Sequence, residues 1–220
     1  MPRIALIHAL AHSPPPINAA LAQAWPEAER MNLLDDSLSA DLARSGRLDE
    51  AMTARFVALA DYAVGTGADA ILFTCSAFGP CIDAVKRRHA DRPVLKPNEA
   101  MIDEAVALTR GVGAQGGEIG LVASFGPTLA SMPAEFPAGA RVRTLLAEGA
   151  MAALDRGDVE AHDAAVLRAA ESLVQAGCAV IALAQFSMAR ARPGVQAALA
   201  RPVLTTPDSA VRRLRVLLGA

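Results

Sequence analysis

Aromatic residues are scarce in this 220-residue chain, at 4% of the total, while 53% of residues are hydrophobic. A core of stacked rings is therefore excluded, and Ala, Val, Leu and Ile must fill an interior large enough for one big domain or two small ones. Charge of one sign is also missing: 21 Lys and Arg face 23 Asp and Glu, a formal net charge of -2. That balance leaves no electrostatic footprint for nucleic acid, and the expected partner is a small neutral or anionic ligand. No apolar run approaches the roughly 20 residues of a membrane span. The opening Ile4-Ala5-Leu6-Ile7 is too short for a signal sequence, so a cytoplasmic location and no membrane partner are expected. The three cysteines are odd in number and lack metal-ligand spacing. They fit a reducing compartment and argue against a disulfide framework or a zinc site.

What is present is an alternation of short apolar strands and helical stretches. Arg3 to His8 is the first strand, and a loop from Ala9 to Pro16 with His12, Ser13 and a run of prolines leads to a helix over Ile17 to Trp25. A short strand near Met31 to Leu34 and a loop over Asp35 to Gly46 are expected next. Met52, Phe56, Leu59 and Ala63 recur at helical spacing until Gly65 and Gly67 stop them. The strand Ala70 to Cys75 runs into Gly79-Pro80, a helix start with proline in the first turn. Pro93 to Lys96 is a strand, Pro97-Asn98-Glu99 a turn, and Ala100 to Arg110 a helix. The segment 111–116 has GxGxxG spacing but precedes a strand where a nucleotide loop must follow one, so it is set aside.

From Glu118 the sequence begins again. Ile119-Gly120-Leu121-Val122 echoes Ile4-Ala5-Leu6-Ile7, which sets Thr128 opposite Ser13. Asp158 caps a helix with Val159, Val166, Leu173 and Val174 on one face and Gly177 at its stop. The following strand, Cys178 to Gln185, parallels the one ending in Cys75, so Gln185 falls opposite Cys75. Arg201 to Thr206 repeats Arg92 to Pro97, and a helix over Asp208 to Leu218 closes the chain. The expected fold is α/β: two pseudo-symmetric parallel-sheet halves produced by internal duplication, with helices on both sheet faces. Ligand is expected in the crevice between the halves, outside the carboxyl ends of the strands.

Cys75 stands where such a strand delivers a side chain, just before a helix whose first amides and dipole can stabilise a thiolate. Cysteine also fills strands as a small hydrophobe, and that packing reading is preferred for Cys81 and Cys178. At about 3.3 Å per residue, Cys178 lies roughly 20 Å from the ligand end of its strand. His8, at another strand end, is either a proton carrier or carboxylate ligand, or a hydrogen-bonded structural histidine. Glu99 and Asn98 follow a turn and read more readily as a helix start than as base and ligand. His89 and His162 read as surface residues of amphipathic helices. Arg190 and Arg192 can hold a carboxylate or simply face solvent.

Two halves, each presenting a strand-end cysteine or its replacement over a hydroxyl-rich loop, resemble the aspartate/glutamate racemase superfamily. That group includes glutamate, aspartate and hydantoin racemases, maleate cis-trans isomerase and arylmalonate decarboxylase. The most specific match is Phe73-Thr74-Cys75-Ser76-Ala77, which resembles the segment with the first catalytic cysteine. The resemblance implies a cofactor-free reaction without a metal, a small carboxylate or amino-acid substrate, and a fold that is often a homodimer. It also implies that the chain end returns to the first domain, giving residues 1–98 with 205–220 around Cys75 and residues 99–204 around Gln185.

Proton removal beside a carboxylate makes an enediolate, so such a site needs preorganised donors and a base within reach of the carbon. Ser13, Ser76, Thr128 and Thr206 are the expected donors, and Thr74, Asn98, Ser124, Gln185 and Ser187 complete the expected substrate-binding set. Cys75 and His8 are the expected catalytic pair. The family's second cysteine is replaced by Gln185, whose amide carries no proton at neutral pH. Three outcomes stay open: His8 or another group serves the opposite face; Cys75 acts alone, as isomerase, decarboxylase or covalent nucleophile; or the scaffold binds a small acid without turnover.

Overall fold

The computed structural model describes residues 1–11, 13–112 and 116–220, so His12 and the middle of the GxGxxG match lie outside the described residues. The chain divides into two compact units, Met1–Ala100 with Ala210–Ala220, and Met101–Ser209. In the first unit, β1 (Arg3–His8), α1 (Pro14–Ala24), β2 (Glu29–Leu34), α2 (Ser37–Ser45), α3 (Glu50–Gly65), β3 (Ala70–Phe73), α4 (Gly79–Arg88) and β4 (Val94–Leu95) follow in order, and α5 (Glu99–Thr109) begins at its border. The second carries β5 (Glu118–Ala123), α6 (Gly126–Ser131), β6 (Val142–Leu146), α7 (Ala150–Asp155), α8 (Val159–Gln175), β7 (Cys178–Leu183), α9 (Arg192–Ala198) and β8 (Val203–Thr205), and then α10 (Thr206–Leu217) begins.

Each unit has a four-stranded parallel sheet, ordered β2-β1-β3-β4 in one and β6-β5-β7-β8 in the other. The order is the same in both, and each central pair, β1 with β3 or β5 with β7, brings two strand ends side by side. Burial explains the continuous apolar runs. Ala5, Ile7, Ile71 and Phe73 join Met52, Phe56, Ala60, Ile82 and Val85 of α3 and α4 in one core. Ile4, Leu6, Ala70 and Leu72 alternate to the other sheet face and are also fully buried; a parallel strand covered on both faces has no polar side to show.

Several boundaries differ from the sequence reading for local reasons. The expected loop over Asp35 to Gly46 is largely helix α2: Leu38 and Leu42, one turn apart, both reach the core, and Gly46 closes the helix with φ 67°. Its serines and aspartates mask this two-residue stripe. Helix α1 starts at Pro14 because the fixed φ of proline suits a first turn. Asp158 caps α8 as expected, accepting a hydrogen bond from the Ala161 N–H at 3.1 Å. His162, expected at the surface, is fully buried because it lies on the stripe with Val166, Ala169 and Leu173. His89 is buried too, its ring held 2.8 Å from Asp61.

Gly120 shows how tightly α8 sits on the second sheet. A Cβ there would meet Ile181 Cδ1 at 2.8 Å and the Leu173 side chain at 3.1 Å. Gly120→Ala is therefore expected to destabilise the protein by about 1–3 kcal/mol, the usual cost of overpacking. A urea midpoint equal to that of the parent would show that the contact relaxes freely. Among the described residues, no helix is long and apolar enough to cross a membrane.

Candidate active site

Cys75 follows β3 in extended conformation (φ -125°, ψ 119°) and precedes a 3-10 turn over Ser76–Phe78 that runs directly into α4. Phe56 lies between Phe73 and Phe78, with ring centroids 5.4 and 4.8 Å away. The crevice lined by Ile7, His8, Ala9, Leu38, Phe56, Phe73 and Cys75 has no space for a water molecule. The thiol thus rests on a dry apolar floor. Burial pushes it above its ordinary titration range, against a hydrogen bond from the Ala77 main-chain N–H. One amide does not outweigh desolvation, so the helix start does not leave Cys75 as a resting thiolate. Lys96, following β4, is a cation near the start of α4, and Asp83 pairs with it at 2.7 Å.

His8 closes β1 and is fully buried. Its Nδ1 lies 2.9 Å from Thr74 Oγ1 and its Nε2 3.0 Å from Asn32 Oδ1. The hydrogens of this chain can be placed from its far end. The Pro14 carbonyl can only accept, so the atom of Asn18 at 2.8 Å from it is Nδ2. That same Nδ2 donates to Asn32 at 2.9 Å, which makes the receiving atom Oδ1. His8 must then carry its proton on Nε2, leaving Nδ1 to accept from the Thr74 hydroxyl. The competing acceptor for that hydroxyl, the Ile7 carbonyl, is farther away at 3.4 Å.

Burial holds the His8 imidazole below its ordinary range, with the Asn32 bond pulling the other way. The unfolded chain takes up a proton near pH 6.5 that the folded chain resists. Stability from His8 is therefore complete above that pH and is lost as the pH falls below it, until the folded ring also titrates. His8→Gln is expected to flatten this part of the acid limb, read as urea midpoints between pH 5 and 7.5; an unchanged slope would count against a neutral buried ring.

In the second unit, Gln185 occupies the place equivalent to Cys75. It is extended (φ -129°, ψ 145°) after β7 and precedes a 3-10 turn over Phe186–Ala191. Its Oε1 accepts two hydrogen bonds from Ser124, at the end of β5: from the main-chain N–H at 2.6 Å and from the hydroxyl at 3.0 Å. At the end of β8, Thr205 Oγ1 accepts from the Asp208 N–H at 3.3 Å and so caps α10. The Oγ1 of Thr206 beside it is buried without a hydrogen-bond partner among the described residues.

The expected site residues thus fall into two groups. His8, Thr74 and Cys75 share adjacent strand ends in the first unit, with Ser76 exposed after them, Ser13 buried before α1, and Asn98 buried after β4. Ser124 and Gln185 are bonded in the second unit, where Thr128 lies in α6, Ser187 in the turn after Gln185, and Thr206 at the start of α10. Cys81 and Cys178 are fully buried packing residues. Glu99 pairs with Lys86, Arg190 with Asp163, and Arg192 with Asp208. Asn18 and Asn32 were not found by the sequence reading; the available signal was an asparagine interrupting Met31-Asn32-Leu33-Leu34, the apolar end of β2.

Solved structures share this arrangement of strands and helices. An aspartate racemase homologue from Pyrococcus horikoshii OT3 is similar with a TM-score of 0.75 and 14% identity, covering 100% of both chains. Allantoin racemase from Klebsiella pneumoniae gives 0.68 and 18%, covering 100% of this chain and 88% of that one. Unliganded arylmalonate decarboxylase gives 0.63 and 16%, covering 100% and 94%. At these identities the likeness establishes the fold. No curated protein matches the sequence significantly. The profile of the Asp/Glu/hydantoin racemase family matches residues 15–214, and with one thiol and one amide at its two equivalent strand ends, the chain belongs to that family.

Proposed function

We propose that the protein is a cofactor-independent enzyme that moves a proton at the carbon alpha to a carboxylate of a small amino acid or carboxylic acid, using Cys75 as its only acid–base thiol. The observation that carries this reading is the pairing of Cys75 with Gln185 at equivalent strand ends of a racemase-family fold. In the isomerase form, the Cys75 thiolate takes the α-proton, the electron pair moves into the carboxylate as an enediolate, and the thiol returns the proton. With one thiol the return to that carbon is to the face it left, which exchanges the hydrogen with retention and gives no inversion. His8 is a poor candidate for the other face, since both its ring nitrogens already have partners.

A second reading, a malonate-type decarboxylase, is favoured by the raised thiol alone. There the C–C bond breaks, carbon dioxide leaves, and the carbanion takes the proton that Cys75 already holds at neutral pH. Binding of a small acid without turnover is the third reading. Incubation with amino acids and malonates in deuterated water separates them. Exchange with retained handedness supports one-base proton transfer by Cys75, and carbon dioxide release with deuterium on one face supports the lyase. Exchange by thiolate should rise with pH past about 8.5, the titration point of a free thiol, whereas protonation by thiol should fall there. Neither exchange nor gas release with any candidate acid would leave the binding protein.

A further inference from the structure

We infer that Gln185 is an oxygen-binding residue whose side-chain N–H groups hold a substrate carboxylate at the end of β7. The orientation of its amide is decided by a group that cannot be reversed. The Ser124 main-chain N–H can only donate, so the side-chain atom 2.6 Å from it is Oε1. The Ser124 hydroxyl adds a second donor to the same oxygen. Both anchors lie on the oxygen side, and Nε2, which no described residue accepts from, faces away from them at a half-exposed position. A donor fixed in this way is preorganised for an oxygen and useless as an acid or base. In the first unit, the equivalent position presents a thiol over a dry floor. The two equivalent strand ends thus carry different chemistry, a thiol after β3 and a fixed amide donor after β7. The assignment of the ligand as substrate rests on the proton-transfer reading; the orientation of the amide does not.

The test uses 2,2-dimethylmalonate, a dicarboxylate without an α-proton, titrated calorimetrically into the full chain. Gln185→Glu, which turns the donor into a carboxylate, is expected to weaken binding about 100-fold, and Gln185→Met about 10-fold, from the usual worth of hydrogen bonds to charged groups. Ser124→Ala leaves the main-chain anchor and should cost about threefold or less. If the substitutions unfold the protein, the 15N shift of the Gln185 side-chain amide in the parent gives the same answer, moving on saturation if it holds the probe. Equal affinity of parent and Gln185→Glu, an unmoved amide, or no binding by the parent overturns the assignment. Intact binding with no α-exchange for any acid keeps it, and counts against the proton-transfer reading instead.

Discussion

Cys75→Ala is expected to lower α-deuterium incorporation about 10²- to 10⁴-fold, the range that a positioned acid–base group contributes. The loss should be this large because none of the described neighbours substitutes. The Thr74 hydroxyl has committed its hydrogen to His8, the His8 ring is fully buried, and Lys96 is paired with Asp83. Folding should survive, since the half-buried side chain caps a core that Phe56, Phe73 and Phe78 already fill. Cys75→Ser keeps the shape but raises the acid pKa far beyond the working range, so it should be nearly as inactive as alanine. Exchange at the parent rate in both variants would remove Cys75 from the chemistry.

The second large effect is a change of outcome. Gln185→Cys places a thiol at the strand end equivalent to Cys75, beside a main-chain N–H of Ser124 already directed at that side chain. Deuterium incorporation should then come with inversion, raising the ratio of inversion to exchange about 10²-fold or more, as a second acid–base group is worth that much. The variant should also bind carboxylate less well, since the donor amide is gone. Chiral chromatography of the recovered acid, with its isotope content, reads both quantities in one experiment. Exchange that still retains handedness would show that a thiol at the end of β7 does not act as the second acid–base group.

Much of the fold was legible because parallel strands buried on both faces leave continuous apolar runs. Ile4 to Ile7, Ala70 to Phe73 and Val180 to Leu183 announce themselves, and with them the residues that follow each strand. That is why Cys75 and Gln185 could be paired from the repeat. Helix α2 was not legible, since its contribution to the core is two leucines among serines and aspartates. Nor was the state of the thiol: the amide donor after Cys75 can be guessed from the turn, but the dry floor is assembled from α2, α3 and β1, which the local sequence does not show. The orientation of Gln185 depends likewise on Ser124, 61 residues away. His162 misled for the opposite reason, because its polar type outweighed its place on an apolar stripe.

The bonds linking Thr74, His8, Asn32, Asn18 and the Pro14 carbonyl do not form a one-way chain: the hydrogens of Thr74 and His8 point toward Asn32, and Asn18 donates back to the same Asn32 oxygen as well as to Pro14. Such a network is a poor conductor of protons. Relay through it would need each member to take a proton on one side and release one on the other, and an amide nitrogen has no lone pair to offer. Charge arriving at the end of β1 therefore meets a closed circuit. Cys75 must exchange its hydrogen across its own exposed edge, with the bound compound or with solvent. Hydrogen taken from a substrate stays with that molecule for as long as the compound shields the thiol from solvent, and the isotope it carries on release records how long that shielding lasted.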